Sequence, residues 1–406
     1  MGRRGGQEGA REHGHACGGA PLTAARAGAA PALLFHAVVQ RNRRDGAAGR
    51  GSGARPDARS TGRWAADRPG PAAWAASVAA LTGTAATASP TGSDLDGVRI
   101  LLTNDDSMQA ATASGKDGYG LYEARRALCE AGADVVVVAP WDYQSGASGA
   151  VTNSGQVTVE AREELPAGFG GDCGDAPSGG PVYGLCLDAG ACTPDSPGAR
   201  PADTVKFALH GGLDHLVGWE DGPDLVVSGM NGGPNVSSSV NDSGTVGAAI
   251  AAIGSGVPAV ALSAAGEGHA PASFETYRAG TDYAAALIGD LHQSGYLSSD
   301  YVVNVNVPHI ADGGEPKGVV WTRVGVGTAA LHQYTPDTAA GENTFTIGFG
   351  SCPGSEHCQQ ETREDADIDR LDGGYVTISA LTGDRTLVGN EANELRGYVR
   401  SGRSER

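Results

Sequence analysis

The sequence predicts an α/β protein: a Rossmann-like, mostly parallel sheet with helices on both faces, plus a C-terminal β-rich arm. Three observations carry this. Short apolar runs rich in β-branched residues recur without the alternation of a half-solvated strand, as expected of parallel strands covered on both sides. Helical patterns alternate with them up to residue 307. Polar clusters follow three of the runs, at the strand ends where open parallel sheets bind ligands.

Val98 to Leu102 is the first run, and a polar, Gly-containing loop from Met108 to Gly118 follows it. Tyr119 to Ala131 reads as a helix with Leu121, Ala124, Leu128 and Ala131 on one face and Gly132 as its stop. Asp134 to Ala139 is a second buried strand ended by Pro140, which completes a β-α-β unit with a right-handed crossover. Residues 151–160 continue into a β segment, and 161–200, rich in Gly, Pro, Asp and Cys, read as a long excursion. Thr204 to Val217 reads as a helix that Gly211 and Gly212 weaken. Asp224 to Ser228 is a strand, and an Ala-rich helix runs from Ser243 to about Ile253. Pro258 to Ser263, a helix over Phe274 to Gln293 and a strand over Tyr301 to Val307 come next. Beyond Lys317 the segments are shorter and β-like, at Val319 to Val326 and Asn343 to Gly348. The acidic stretch 361–374 reads as turn-rich, and Tyr375 to Leu381 as the last strand. The expected organisation is a tail over 1–72, an export signal and linker over 73–95, an α/β core over 96–310, an arm with a return strand over 311–390, and a polar tail over 391–406.

The chain has 406 residues and a net charge of −18, enough for a sizeable core and too acidic to favour a nucleic-acid duplex as partner. No stretch approaches the roughly 18 to 20 apolar residues that a membrane span needs. Residues 1–72 are rich in Arg, Gly and Ala and lack periodicity, so they read as disordered or as an artefact of the assigned start. Residues 72–88 follow Arg63 and Arg68 and end in Ala86-Thr87-Ala88, a small-residue cleavage pattern. Either translation begins later than Met1 and the protein is secreted or extracytoplasmic, or the segment is not a signal and the protein is cytoplasmic. Cys173, Cys186, Cys192, Cys352 and Cys358 all stand in loop-like sequence, Cys129 in a helix and Cys17 in the tail. That clustering favours disulfides and an oxidising compartment, with Cys186–Cys192 and Cys352–Cys358 as the local pairings. A zinc site is the competing reading, but no C-x-x-C pair occurs.

Chemistry concentrates at the strand ends. Asn104, Asp105 and Asp106 follow the first strand, Gln144, Ser145 and Ser148 the second, and Asn231 and Asn235 the third. Two adjacent carboxylates at the end of a buried strand repel each other, and a divalent cation between them relieves this. Carboxylate, hydroxyl and amide oxygens suit a hard cation, Mg²⁺, Mn²⁺ or Ca²⁺. Ser243-Gly244-Thr245 at a helix start offers free N–H groups and the positive dipole end to an anion. Each piece alone has an ordinary explanation: a turn after a strand, a helix N-cap, Asn-Gly turn chemistry. The ten His residues fit no nucleophile or zinc pattern. No G-x-G-x-x-G and no G-x-S-x-G occurs, against a dinucleotide fold and an α/β-hydrolase.

Together the clusters resemble the SurE-type survival proteins, metal-dependent 5′/3′-nucleotidases. The matching blocks are RILLTNDD (99–106), VVVVAPWDYQSGAS (135–148), PADTV (201–205), PDLVVSGMNGGPN (223–235), SGTVGAA (243–249), VPAVALS (257–263), NVNVP (304–308) and DGGYVTIS (372–379), in family order from Gly97 to Gly389. The resemblance implies a Rossmann-like core with a C-terminal arm used in homodimers or homotetramers. It implies Asp105, Asp106, Ser145 and Asn231 as metal ligands, with Asn104, Asn235, Ser243, Gly244 and Thr245 around the phosphate and Asn104, Asp105 and Asp106 as the catalytic group. The implied reaction is hydrolysis of nucleoside monophosphates or other phosphate esters. Ser107 stands where the family usually has Gly, Gln144 where it often has Arg, and the loop to Gly120 and the segment 161–200 are long. The rival reading is a secreted nucleotide- or metal-binding protein without turnover. An aspartate-nucleophile phosphatase would need Asp-x-Asp after the first strand, where this chain has adjacent Asp105 and Asp106.

Overall fold

The central strand β1 (Arg99–Thr103) has β2 (Asp134–Pro140) paired parallel on one side and β5 (Leu225–Asn231) parallel on the other. A computed structural model describes residues 94–112, 116–268, 270–311, 314–350, 352 and 356–400. The tail over 1–72, the cleavage pattern at 86–88 and Cys17 lie outside these residues. β3 (Thr158–Ala161) and β4 (Val182–Cys186) extend the sheet beyond β2; β6 (Ala259–Ala264) and β7 (Val302–Val307) extend it beyond β5. After β8 (Val319–Trp321), a two-stranded arm is made by β9 (Leu331–Pro336) and β10 (Phe345–Gly350); β11 (Val376–Leu381) returns to the sheet between β7 and β8. The order of the nine-stranded sheet is β3-β4-β2-β1-β5-β6-β7-β11-β8. All pairings in it are parallel except β3 with β4 and β11 with β7, so the mostly parallel α/β architecture is as expected.

The apolar runs explain the layering. Ile100 and Leu102 join a core cluster with Leu121, Leu128, Tyr277 and Ile288, which belong to α1 (Tyr119–Glu130) and α5 (Phe274–Gln293). Leu101, between them, joins the opposite cluster with Val205 and Val246, from α2 (Pro201–Phe207) and α4 (Gly244–Gly254). Alternate side chains of one continuous apolar strand thus serve two cores.

Several segments differ from expectation for local reasons. The helix expected over Thr204–Val217 is broken: α2 ends at Phe207, His210 and Gly211 leave helical geometry with Gly211 at φ 119°, and α3 (Leu213–Val217) restarts. The excursion over 161–200 contains β4, which pairs in the main sheet. The acidic stretch holds a short helix, α6 (Asp367–Asp372), and the expected polar C-terminal tail is helical over α7 (Asn390–Arg400), which buries no residue. α1 is buried around its charged side as well, because Arg126 pairs with Glu123 at 2.7 Å, Glu130 at 2.6 Å and Asp282, and Arg125 donates to Gly180 O and Phe169 O. No helix among the described residues is long and apolar enough to cross a membrane.

The Cys186–Cys192 and Cys352–Cys358 pairings form as the sequence suggested, and Cys129 on α1 joins Cys173 across a separation of 44 residues. That third bridge fastens the excursion to α1, beside the buried Arg125. Replacing both Cys129 and Cys173 by Ala is expected to lower unfolding free energy by about 2–4 kcal/mol, read by chemical denaturation monitored by circular dichroism.

Candidate active site

The chain leaves β1 for β2 on one side and later enters β5 on the other, so the carboxyl ends of β1 and β5 flank a topological switch point. Asp105 and Asp106 follow β1 after one residue, Asn104, and are 1 % and 2 % exposed. Across the switch point, the N–H of Gly232 donates to Asp106 Oδ2 at 2.9 Å.

Asp105 is held by the start of α4. Thr245 donates from Oγ1 to Asp105 Oδ1 at 2.7 Å and from its N–H to Oδ2 at 3.2 Å. The Gly244 N–H adds to the same set. Gly is required at 244 by close approach: a Cβ there would stand 2.8 Å from both Cβ and Oδ2 of Asp105. Ser243 caps the helix by accepting the Val246 N–H at 3.0 Å, which leaves its own O–H to donate. The turn expected to face a phosphate therefore directs the N–H groups of Gly244 and Thr245 to a carboxylate. An anion does occupy the dipole end, and it belongs to the chain itself.

The 141–152 loop closes one side. Gln144 donates its N–H to Asp105 O at 2.8 Å. Ser148 binds Asn241 O through Oγ at 2.6 Å and Asp242 O through its N–H at 3.1 Å, while Thr152 Oγ1 donates to Asp203 of α2 at 2.7 Å. Gly247 makes this possible, since a Cβ there would meet Ser148 O at 1.8 Å. Ser145 is exposed beside Tyr143. Burial raises the pKa of the Tyr143 phenol; a hydrogen bond with Ser145 lowers it, and the charges of Asp106 and Asp105 raise it further. Tyr143 thus stands in the field of both carboxylates, hydrogen-bonded to Ser145.

β5 carries a bulge that brings Asn231 to the site. Ser228 pairs with Ala261 and Asn231 with Ser263, three steps on β5 against two on β6. Asn231 Nδ2 donates to Gly233 O at 2.6 Å, which commits the nitrogen and leaves the amide oxygen to other partners. Asn235 sits deeper: its Nδ2 donates to Ser263 Oγ at 2.8 Å, and its backbone is clamped by Asn306, whose Oδ1 accepts the Asn235 N–H at 2.7 Å. Asn304 and Asn306 both donate to Asn235 O at 3.1 Å. Asn104 donates from Nδ2 to Ser107 O at 3.0 Å, while its buried Oδ1 has no hydrogen-bond partner among the described residues. Ser107, in place of the expected glycine, adopts φ 86°.

The electrostatics point one way. Burial raises the Asp105 pKa, against the lowering effect of the Thr245 and Gly244 donors. Asp106 is raised well above the ordinary carboxylate value, first by burial, then by the charge of Asp105, with Asp117 adding a further negative charge. The charged groups acting on Asp106 are thus both acidic, and the Gly232 N–H opposes them.

Sequence reasoning did not single out the supports: Thr204, bonded through Oγ1 to Thr103 Oγ1 at 2.9 Å, and Asn304, Asn306 and Ser263. The asparagines at alternate positions of YVVNVNV, in an otherwise apolar strand, were the available signal.

Residues 100–330 match the family model described as survival protein SurE. The 5′-nucleotidase SurE of Stenotrophomonas maltophilia strain R551-3 is 30% identical over 290 residues, covering 71% of this chain and 91% of that protein. The 5′-nucleotidase SurE of Aeromonas hydrophila is 32% identical over 289 residues, 71% and 94% of the two chains. The 5′/3′-nucleotidase SurE of Proteus mirabilis is 31% identical over 289 residues, 71% and 91% of the two. A crystal structure of the SurE protein from Aquifex aeolicus aligns with 25% identity and a TM-score of 0.47 over 71% of this chain and 94% of that one. With the family model spanning more than half its length and these relatives matched nearly end to end, the chain belongs to the SurE survival-protein family.

Proposed function

We propose that the protein is a phosphomonoesterase that hydrolyses nucleoside 5′- or 3′-monophosphates to nucleoside and phosphate with the help of a divalent cation. One observation carries the reading: Asp105 and Asp106 are buried side by side, and the neighbouring charges acting on Asp106 are negative. Such a pair fits a hard cation. The related proteins bear nucleotidase names, which supports the substrate class.

The donor set fits. No group of three or more His, Cys, Asp or Glu able to hold a metal occurs among the described residues, and a cation here would take hydroxyl and amide oxygens beside the two carboxylates. The Ser145 hydroxyl and the Asn231 amide oxygen are the groups assigned to do so, beside Asp105 and Asp106. An all-oxygen set favours Mg²⁺ or Mn²⁺, with Ca²⁺ the alternative. When bound, such a cation supplies a Lewis acid and lowers the pKa of a coordinated water. Ser243 Oγ, Asn235 and Asn104 are assigned to the phosphate, with Gly244 and Thr245 keeping Asp105 in place beneath it. Both oxygens of Asp105 are engaged by α4, whereas Asp106 has one oxygen bonded to Gly232. Asp106 is therefore assigned to accept the proton of the attacking water.

Asp106→Asn and Asp105→Asn are each expected to lower phosphate release from AMP by about 10²-fold or more. Chelation followed by Mg²⁺ or Mn²⁺ add-back should abolish and restore wild-type turnover in a colorimetric phosphate assay. Calorimetric binding of AMP and metal without release would instead favour a binding protein without turnover.

The raised Asp106 pKa has a signed consequence. Without metal, the folded state keeps its proton to higher pH than the unfolded chain, whose carboxylates titrate near about pH 4. This group's contribution is thus largest at low pH and lost as pH rises through the folded value. Relative to Asp106→Asn, the metal-free wild type should melt lower at about pH 7 than at about pH 5, and saturating Mg²⁺ should erase the difference.

Export and oligomerisation complete the proposal. Three disulfides support an oxidising compartment. The arm exposes Tyr334, Phe345, Ile347 and Phe349, which suits contact with another copy. Native mass spectrometry of the mature protein should give a subunit starting near Ser89 and assemblies of two or four; an intact tail from a cytosolic fraction would contradict export.

A further inference from the structure

A phosphate monoester is close to dianionic at neutral pH, and the site it must enter is acidic. The structure tethers a guanidinium to the frame of that site. Arg200 is exposed and immediately precedes α2. The next residue, Pro201, packs beside the carboxylates: its Cγ lies 3.0 Å from where a Cβ on Gly244 would stand, and Asp105 Oδ2 lies 2.8 Å from the same point. The Arg200 guanidinium donates from Nη1 to Gln144 Oε1. Gln144 in turn donates its N–H to Asp105 O at 2.8 Å, and Ser145 is the next residue. The Arg200 side chain therefore reaches from the residue before Pro201, which packs at the start of α4, to Gln144 in the 143–145 loop.

The excursion delivers this placement. After β4, the Cys186–Cys192 disulfide closes a loop whose returning limb is pinned by Leu187 N–H to Pro197 O and Ala199 N–H to Leu185 O, both at 2.9 Å. Gly198 permits the return, since a Cβ there would meet Asp142 O at 2.4 Å. The limb emerges at Arg200 and enters α2 through Pro201. Among the described residues the guanidinium's partner is a neutral amide, so its charge and remaining N–H donors stay available to an anion.

We propose that Arg200, presented by Gln144, is a substrate-binding residue that pairs with the phosphate group of the incoming monoester. This rests on the phosphomonoesterase reading for its substrate and on the geometry above for its position. Gln144 acts as the positioning residue, because it holds the planar fork in one orientation.

Inorganic phosphate titrated calorimetrically into the Mg²⁺-loaded full chain tests this. Arg200→Ala should weaken phosphate binding about tenfold. Arg200→Lys should fall between, since a point charge replaces a fork. Gln144→Ala, which leaves Arg200 and α2 intact, should weaken binding about threefold and serves if Arg200→Ala folds poorly. In steady state, KM for AMP and for 4-nitrophenyl phosphate should rise by the same factor, with a smaller fall in kcat. Unchanged phosphate affinity in a variant that keeps the wild-type melting midpoint would overturn the proposal. So would a KM rise confined to AMP, which would put Arg200 on the nucleoside. Arg200-dependent phosphate binding by a wild type that turns nothing over would sink the hydrolase reading and leave this one standing.

Discussion

Two carboxylates adjacent in sequence and almost fully buried are the constraint that the surrounding structure answers. Desolvation alone would drive both toward the protonated form. The fold opposes that with backbone dipoles. The first turn of α4 is aimed at Asp105, and the N–H after β5 at Asp106. These donors come from elements on the far side of the switch point, so the site exists only once β1, β5 and α4 are assembled. A glycine at 244 is part of the same solution, because only a bare Cα lets the helix start come this close to a carboxylate.

Behind the carboxylates lies a buried polar layer that fixes the next loop. Asn304 and Asn306 point from β7 to the backbone of Asn235, and Ser263 on β6 takes its side chain. Polar groups in strands of a parallel core are costly unless satisfied. Their recurrence at alternate positions of one strand ties sheet register to the position of the 231–235 loop: a one-residue slip of β7 would turn both asparagines to the other face. The 141–152 loop is clamped similarly, by α2 at Thr152 and by residues 241 and 242 at Ser148. Loops that carry the polar groups of the site are thus held to rigid elements at both ends.

Much of this is legible in the sequence. Runs such as DVVVVA and PAVALS have no polar face, and that is why they appear as central parallel strands. The long helix Phe274–Gln293 keeps one periodicity over its whole length and forms with the expected bounds. β1, β2 and β5 are parallel neighbours, so the polar clusters that follow them leave the same end of the sheet. What stayed hidden depends on contacts distant in sequence. β4 lies within Gly- and Pro-rich sequence and is a strand because β2 offers it an edge. The bridge from Cys129 to Cys173 joins a helix to a loop, which no local spacing announces. The direction of the Ser243–Thr245 turn was also out of reach: its composition marks an anion site, but only the fold reveals that the anion is Asp105.

On the proposed reading, the two buried carboxylates, both raised above the ordinary carboxylate pKa chiefly by desolvation, give up a proton when a cation binds between them. Calorimetric titration of the metal-free protein with Mn²⁺, at mildly acidic pH in two buffers of different ionisation enthalpy, counts the protons displaced. The account predicts release of about one proton per cation bound, abolished in Asp106→Asn. Binding with no proton released, or release of the same size in that variant, would contradict it.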